Sequence, residues 1–321
     1  MKEMLAKIDS ELANLTLGNQ PQNLYDPIRY ILSLGGKRLR PMLVLLGYGL
    51  KKEDPETIIH PALSVEIFHN FTLMHDDIMD LAPIRRGKPT VHEKWNNTVA
   101  ILSGDTMMVK AYDQLLTGSH GSLPLAIKKF NKCAVEVCEG QQLDMNFEAF
   151  ETVSEEQYIE MIRLKTAVLL GFSLEYGGLL AGMSDPQLSK LNMIGEKAGI
   201  GFQLMDDLLD VYGDKAKFGK QVGGDIVSNK KTYLLIKALE LANKSQREEL
   251  NKWLSAKDFD TDEKVQAVKK IYEELSIFEL TQTKMNSYYD EAFTLLEELD
   301  SRGEGKKQLV DFFERLMKRE R

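Results

Sequence analysis

Two short acidic runs in this chain of 321 residues repeat one pattern: Asp76-Asp77-Ile78-Met79-Asp80 and Asp206-Asp207-Leu208-Leu209-Asp210 both read D-D-x-x-D within apolar surroundings. In an α-helix, residues i and i+4 lie about 40° apart and roughly 6 Å along the axis. The outer aspartates of each run therefore share a face, and the middle one sits about 100° round. Three carboxylates in one turn repel one another, and burying them unpaired costs several kcal/mol, so if they face inward a cation must offset that cost. Oxygen ligands alone suit a hard ion such as Mg²⁺, which keeps waters and binds one or two carboxylates together with substrate phosphates. A single run of this kind reads equally well as a solvated helix face. Two of identical pattern, each set among apolar residues, point to metal.

Three basic segments accompany the acidic runs. Lys37, Arg38 and Arg40 follow Gly35-Gly36, Arg85 and Arg86 lie just past Asp80, and Lys215, Lys217, Lys220, Lys230 and Lys231 stand among the glycines of residues 213–231. Guanidinium and ammonium groups offer the charge-assisted hydrogen bonds that hold phosphate, and Gly35 and Gly36 let backbone N–H groups approach an anion. Each segment alone is an ordinary solvated charge run. Beside the aspartates, the set describes a diphosphate held through bridging Mg²⁺ and directly by Lys and Arg.

Other chemistries are excluded. No Walker A spacing is present, Gly199-Ile200-Gly201 has Leu204 where a dinucleotide fingerprint needs glycine, and neither H-E-x-x-H nor G-x-S-x-G occurs. His75-Asp76 resembles the pair of metal-dependent phosphohydrolases, but the five histidines are His60, His69, His75, His92 and His120, so nothing after His120 supplies another. Cys133 and Cys138 make no zinc site. With 49 Asp plus Glu against 41 Lys plus Arg, the net charge of −8 argues against a general nucleic-acid binder. The N-terminal run MKEMLAKIDSELANL lacks the apolar core of a signal peptide, and two cysteines suit a reducing compartment, so a cytoplasmic protein is expected. The most apolar stretch, residues 167–183, is interrupted by Glu175 and by Gly171, Gly177, Gly178 and Gly182, which predicts a closely packed buried helix rather than a membrane span.

These residues must be positioned by helices. Apolar residues recur at i, i+3, i+4 and i+7, period-two alternation is scarce, and no proline follows Pro186. The pattern predicts helices near 22–34, 38–50, 55–81, 93–116, 123–147, 155–182, 185–212, 231–254, 261–275 and 280–300, with a last one from about 304; Pro61 marks a kink or a restart in the third. The expectation is an all-α fold, a single domain over residues 1–321 built as one large bundle of ten or more helices.

The sequence resembles the trans-isoprenyl diphosphate synthases (polyprenyl synthetases) over nearly its whole length, through GGKRLRP at 35–41, HDDIMD at 75–80, RRGKPT at 85–90, DDLLD at 206–210, GKQVGGDI at 219–226 and KKTY at 230–233. The resemblance implies an all-α homodimer, each chain with a central cavity into which both aspartate motifs project, joining isopentenyl diphosphate head-to-tail to an allylic diphosphate. By motif match, Asp76, Asp80 and Asp206 would ligate Mg²⁺, three ions in all, with Asp77, Asp207 and Asp210 ligating or holding coordinated waters. Arg85, Lys165, Lys220 and Lys231 would hold the allylic diphosphate, and Lys37, Arg40, His69 and Arg86 the isopentenyl diphosphate. Thr166 and Gln203 would line the space where positive charge develops, and the lysine-rich loop 213–231 would close over the diphosphates. Leu234 stands where the family usually has proline.

Product length in this family is set below the first motif. Phe71 and Thr72, five and four residues before Asp76, follow the pattern of short products, C15 to C20 with a lean to C20, and Phe68 lies one turn further down. Two other functions compete. A class I terpene cyclase typically carries Asn, Ser or Thr and Glu in its second motif, where this chain has three aspartates. A non-catalytic subunit of a heteromeric synthase usually has degraded motifs, and both are intact here.

Overall fold

The computed structural model describes residues 1–118, 121–213, 223–301 and 303–318, and these are overwhelmingly helical. The helices are α1 (Lys2–Ala13), α2 (Gln22–Ser33), α3 (Leu39–Gly49), α4 (Ile59–Met79), α5 (Val91–Lys94), α6 (Asn97–Leu115), α7 (Leu123–Ala149), α8 (Glu155–Ile162), α9 (Val168–Leu180), α10 (Asp185–Tyr212), α11 (Gly224–Val227), α12 (Tyr233–Leu241), α13 (Lys244–Ser255), α14 (Thr261–Glu274), α15 (Ile277–Glu297) and α16 (Gly303–Met317). A π-helical turn, Arg163–Ala167, joins α8 to α9.

Several boundaries differ from the periodicity. Pro55–Ile58 forms a 3₁₀ turn, so Pro61 falls in the first turn of α4, where its missing N–H is harmless; it marks the restart. The stretch 231–254 is two helices. Ala242 turns extended, and Asn243 and Gln246 form a reciprocal capping box that opens α13. A small antiparallel hairpin, β1 (Ile84–Arg85) with β2 (Lys88–Pro89), lies where a plain loop was expected. Its turn residues Arg86 and Gly87 have φ of 52° and 73°, as a type I′ turn requires. Thr232 takes the extended N-cap position of α12 without a side-chain cap bond, and Leu234 is buried within the helix, which starts without proline.

The chain divides into two compact units. The first comprises Met1–Ala134, Leu169–Gly195 and Leu296–Val310. Its central element is α4, buried along most of its length and packed chiefly against α6 and α3. In α9, a Cβ on Gly177 would strike the Val44 carbonyl of α3, and Gly171 meets Gly195 backbone to backbone, which is the close packing that the glycines of residues 167–183 suggested. No described helix is long and apolar enough to cross a membrane. The second unit comprises Val135–Val168, Glu196–Leu295 and Asp311–Arg321. Its core gathers Leu208 and Val211 of α10 with Ile226, Leu234, Leu250, Val268 and Tyr272.

Candidate active site

In the first unit, Asp76 and Asp77 end α4, and Asp80 is its C-cap at φ −84° and ψ 0°. Asp77 is buried, Asp76 is half-buried and Asp80 is exposed. The hairpin turns Arg85 back onto Asp77: Nε lies 2.9 Å from each carboxylate oxygen, Nη2 lies 2.7 Å from Oδ1, and the same Nη2 is 3.6 Å from Asp76 Oδ2. The middle aspartate of the motif thus points to its own cation. Burial pushes its carboxyl above the usual value, with Arg85 opposing that shift.

The basic turn before α3 separates its cations. Arg38, with φ 49°, is only 4% exposed and donates to Glu66 at 2.7 Å, Asp9 at 2.9 Å and the Leu32 carbonyl at 3.1 Å. The sequence placed it with the phosphate-binding cations; the structure instead assigns it a folding role, because its left-handed backbone directs the guanidinium inward. Lys37 is exposed and Arg40 half-buried. Arg86 donates to the Gly35 carbonyl, and its guanidinium lies over Gly36, where an added Cβ would stand 3.1 Å from it at a φ of +147°. The positive φ favours glycine there.

Burial first, and then the charges of Arg40, Arg86, Arg85 and Arg38, hold His69 well below its ordinary value of 6.5. The imidazole is therefore neutral in the fold. The unfolded chain gains a proton here below about pH 6.5 that the folded chain refuses, so this contribution to stability is lost as pH falls through that value. His69→Asn is expected to flatten the pH dependence of chemical denaturation between pH 7 and 5; an unchanged slope would contradict the neutral imidazole.

The second unit repeats the arrangement of the first motif. Asp207 is 4% exposed, accepts from the Tyr158 hydroxyl, and accepts from Gln203 Nε2 at 3.2 Å. Burial and the nearby Asp225 push its carboxyl well above the usual range, with Tyr158 and Gln203 opposing. Asp206 and Asp210 are half-buried, and Asp210 Oδ2 accepts the Asp225 backbone N–H at 2.9 Å. Thr166 Oγ1 donates to Gln203 Oε1 at 3.2 Å, which brings together the two polar residues paired by motif.

Lys165 and Thr166 emerge from the π-helical turn, a local irregularity common at functional sites. Gly140 of α7 sits against it so closely that a Cβ would strike the Lys165 backbone. Lys165 Nζ is 2.6 Å from Asp144 and Lys230 Nζ is 3.8 Å from the same carboxylate. Burial would raise Asp144, but Lys230 and Lys165 hold it below its usual value. Lys231 Nζ donates to the Phe147 carbonyl at 2.7 Å. Lys220 lies outside the described residues, as do Lys215 and Lys217.

Below the first motif runs a series of rings. Phe71 packs edge-on to His75 at 4.8 Å and lies 5.6 Å from Phe68, which lies 5.2 Å from Phe130, itself 5.6 Å from Phe172. Phe68 is fully buried and Phe71 half-buried; Thr72 Oγ1 donates to the His69 carbonyl at 2.8 Å. Asp144, Tyr158 and Asp225 were not singled out from the sequence. Asp144 shares α7 with Glu136, Glu139 and Glu148, and nothing in its spacing distinguishes it from them.

Among the described residues no three Asp, Glu, His or Cys side chains converge as a ready-made metal cage. The donor set fits Mg²⁺ in its usual mode, in which one or two carboxylates bind the ion and substrate phosphates and waters complete its shell. A family model described as Polyprenyl synthetase matches residues 21–275. A short chain isoprenyl diphosphate synthase of Methanocaldococcus jannaschii is 40% identical over 268 residues, 83% of this chain and 81% of that protein. A geranylgeranyl pyrophosphate synthase of Geoglobus acetivorans is 41% identical over 242 residues, 75% of this chain and 76% of that one. A solved geranylgeranyl pyrophosphate synthase superposes with a TM-score of 0.94 at 42% identity, covering 100% of this chain and 99% of that one. The Corynebacterium glutamicum geranylgeranyl pyrophosphate synthase, solved with isoprenyl diphosphate and magnesium, gives 0.85 at 28% identity, covering 99% of this chain and 97% of that one. Both aspartate motifs and the basic turn fall inside the matched residues, and the chain belongs to the polyprenyl synthetase family of trans-prenyltransferases.

Proposed function

We propose that this chain condenses isopentenyl diphosphate head-to-tail with an allylic diphosphate and that its product is the all-trans C20 prenyl diphosphate. The observation that carries the proposal is the shared build of the two motifs. In each, the middle aspartate is turned in and held by the protein's own donors, Arg85 for Asp77 and Tyr158 with Gln203 for Asp207. The flanking carboxylates, Asp76, Asp80, Asp206 and Asp210, remain half-buried or exposed.

Those four carboxylates would hold Mg²⁺, with Asp77 and Asp207 positioning them. Bound Mg²⁺ supplies charge stabilisation to the departing diphosphate. Lys165, Lys220, Lys231 and Arg85 hold that diphosphate directly, and their fixed charges gain strength as its negative charge grows. Lys37, Arg40, Arg86 and neutral His69 hold isopentenyl diphosphate. The Gln203 and Thr166 oxygens face the carbocation left when the allylic C–O bond breaks. The isopentenyl double bond attacks that carbon, and the proton lost from C2 passes to the departed diphosphate. The cation requires that water be excluded from the site.

The proposal includes three Mg²⁺ ions, one polyprenyl synthetase domain over residues 1–321, a cytoplasmic location and a homodimer. Exposed Leu102, Val109 and Leu116 recur at heptad spacing along α6 and its C-cap, and this apolar stripe favours a second copy; sedimentation equilibrium tests it. Incubation of the purified chain with isopentenyl diphosphate, Mg²⁺ and C5, C10 or C15 allylic diphosphates is expected to end at C20 from every starter. Phe71→Ala opens the first ring of the aromatic series and is expected to lengthen the product by one or more C5 units. Chromatography of the dephosphorylated products checks both, and an unchanged length in the variant would remove Phe71 from the floor.

A further inference from the structure

We infer that Lys264, in the first turn of α14, is a positioning residue that sets the loop carrying Lys230 and Lys231. This rests on the proposed contact of Lys231 with the allylic diphosphate. Lys264 is fully buried, and its Nζ donates to Asn229 Oδ1 at 2.6 Å and to the Val227 carbonyl at 3.2 Å, with the Phe259 ring centroid 4.2 Å away. No described carboxylate lies within ion-pair distance of it. A lysine is almost never fully buried without an ionic partner, and a cation in the first turn of a helix is opposed by the helix dipole. Packing alone would favour an apolar residue here, so the ammonium is explained by the groups it holds.

Those groups define the loop. Val227 is the last residue of α11, and Asn229 has φ 57°, the left-handed turn from which Lys230 and Lys231 leave. Asn229 also donates to the Leu254 carbonyl at 3.1 Å, so its amide bridges α14 to the end of α13. At the other end of α11, the Asp225 N–H is held by Asp210 at 2.9 Å, and an added Cβ on Gly223 would strike Val265, the neighbour of Lys264. The four-residue helix is therefore fixed to the second aspartate motif at its start and to Lys264 at its end. A cavity of about 10 Å³, roughly one water, adjoins Lys264, Lys230 and Asp225.

Two variants test this. Lys264→Met removes the donor; Asn229→Gly removes the acceptor while permitting the left-handed backbone. Each is expected to raise KM for the allylic diphosphate about tenfold and to leave KM for isopentenyl diphosphate unchanged, with Lys264→Arg recovering part of the loss. The double variant should lose less than the sum of the two single losses, because the Lys264–Asn229 bond is common to both, and a fully additive loss overturns the inference. Hydrogen exchange reads the loop independently of activity: residues 226–232 should lose protection in Lys264→Met, and in Asn229→Gly if the first variant does not fold. Unchanged protection there, or equal effects on both substrates, overturns the inference. An inactive wild-type chain would instead count against the proposed reaction and leave the exchange result standing.

Discussion

Asp76→Asn is expected to lower kcat by about a thousandfold or more while leaving the fold intact. Asp76 is half-buried, with Arg85 3.6 Å from its Oδ2, whereas Asp77 is buried and held by the same guanidinium at 2.7 Å. Loss of one carboxylate from a Mg²⁺ site weakens stabilisation of the leaving diphosphate in the transition state, and a thousandfold corresponds to about 4 kcal/mol. Asp77→Asn should behave differently. It breaks the pair with Arg85 and so reduces stability as well as activity. Steady-state turnover beside thermal unfolding separates the two; equal loss of stability in both variants would contradict the division of roles.

Arg38→Met is expected to destabilise the fold by about 3–5 kcal/mol, because it leaves Glu66 buried without its partner. Both side chains of that pair are 3% exposed, and the guanidinium also holds Asp9 and the Leu32 carbonyl. Lys37→Ala, one residue away and exposed, should leave unfolding unchanged and raise KM for isopentenyl diphosphate. Urea denaturation with substrate titration checks the contrast. Similar unfolding midpoints for the two variants would mean that Arg38 is not the buried tie of this turn.

The helices were legible because periodicity reports which face of an element is apolar, and α2, α3, α10 and α14 fall within a residue or so of where it places them. The same geometry separates the middle aspartates from the flanking pair by about 100°, but it does not decide which of them turns inward. Features that depend on a single backbone angle were not legible. Among Lys37, Arg38 and Arg40, only a left-handed φ at Arg38 decides which cation goes inside. The Arg86-Gly87 turn and the Asn243-Gln246 capping box carry local signals, a glycine at a left-handed position and an Asn-x-x-Gln spacing, that apolar periodicity passes over. Partnerships between residues distant in sequence, such as Asp144 with Lys165 or Lys264 with Asn229, leave no local pattern, since each lysine has many acceptors available along the chain.

The most direct test is incorporation of labelled isopentenyl diphosphate by the purified chain with C15 allylic diphosphate, in Mg²⁺ and in excess chelator. A C20 all-trans prenyl diphosphate formed only with the metal is the expected result. Absence of any linear prenyl diphosphate in Mg²⁺, or a cyclised hydrocarbon in its place, would contradict it.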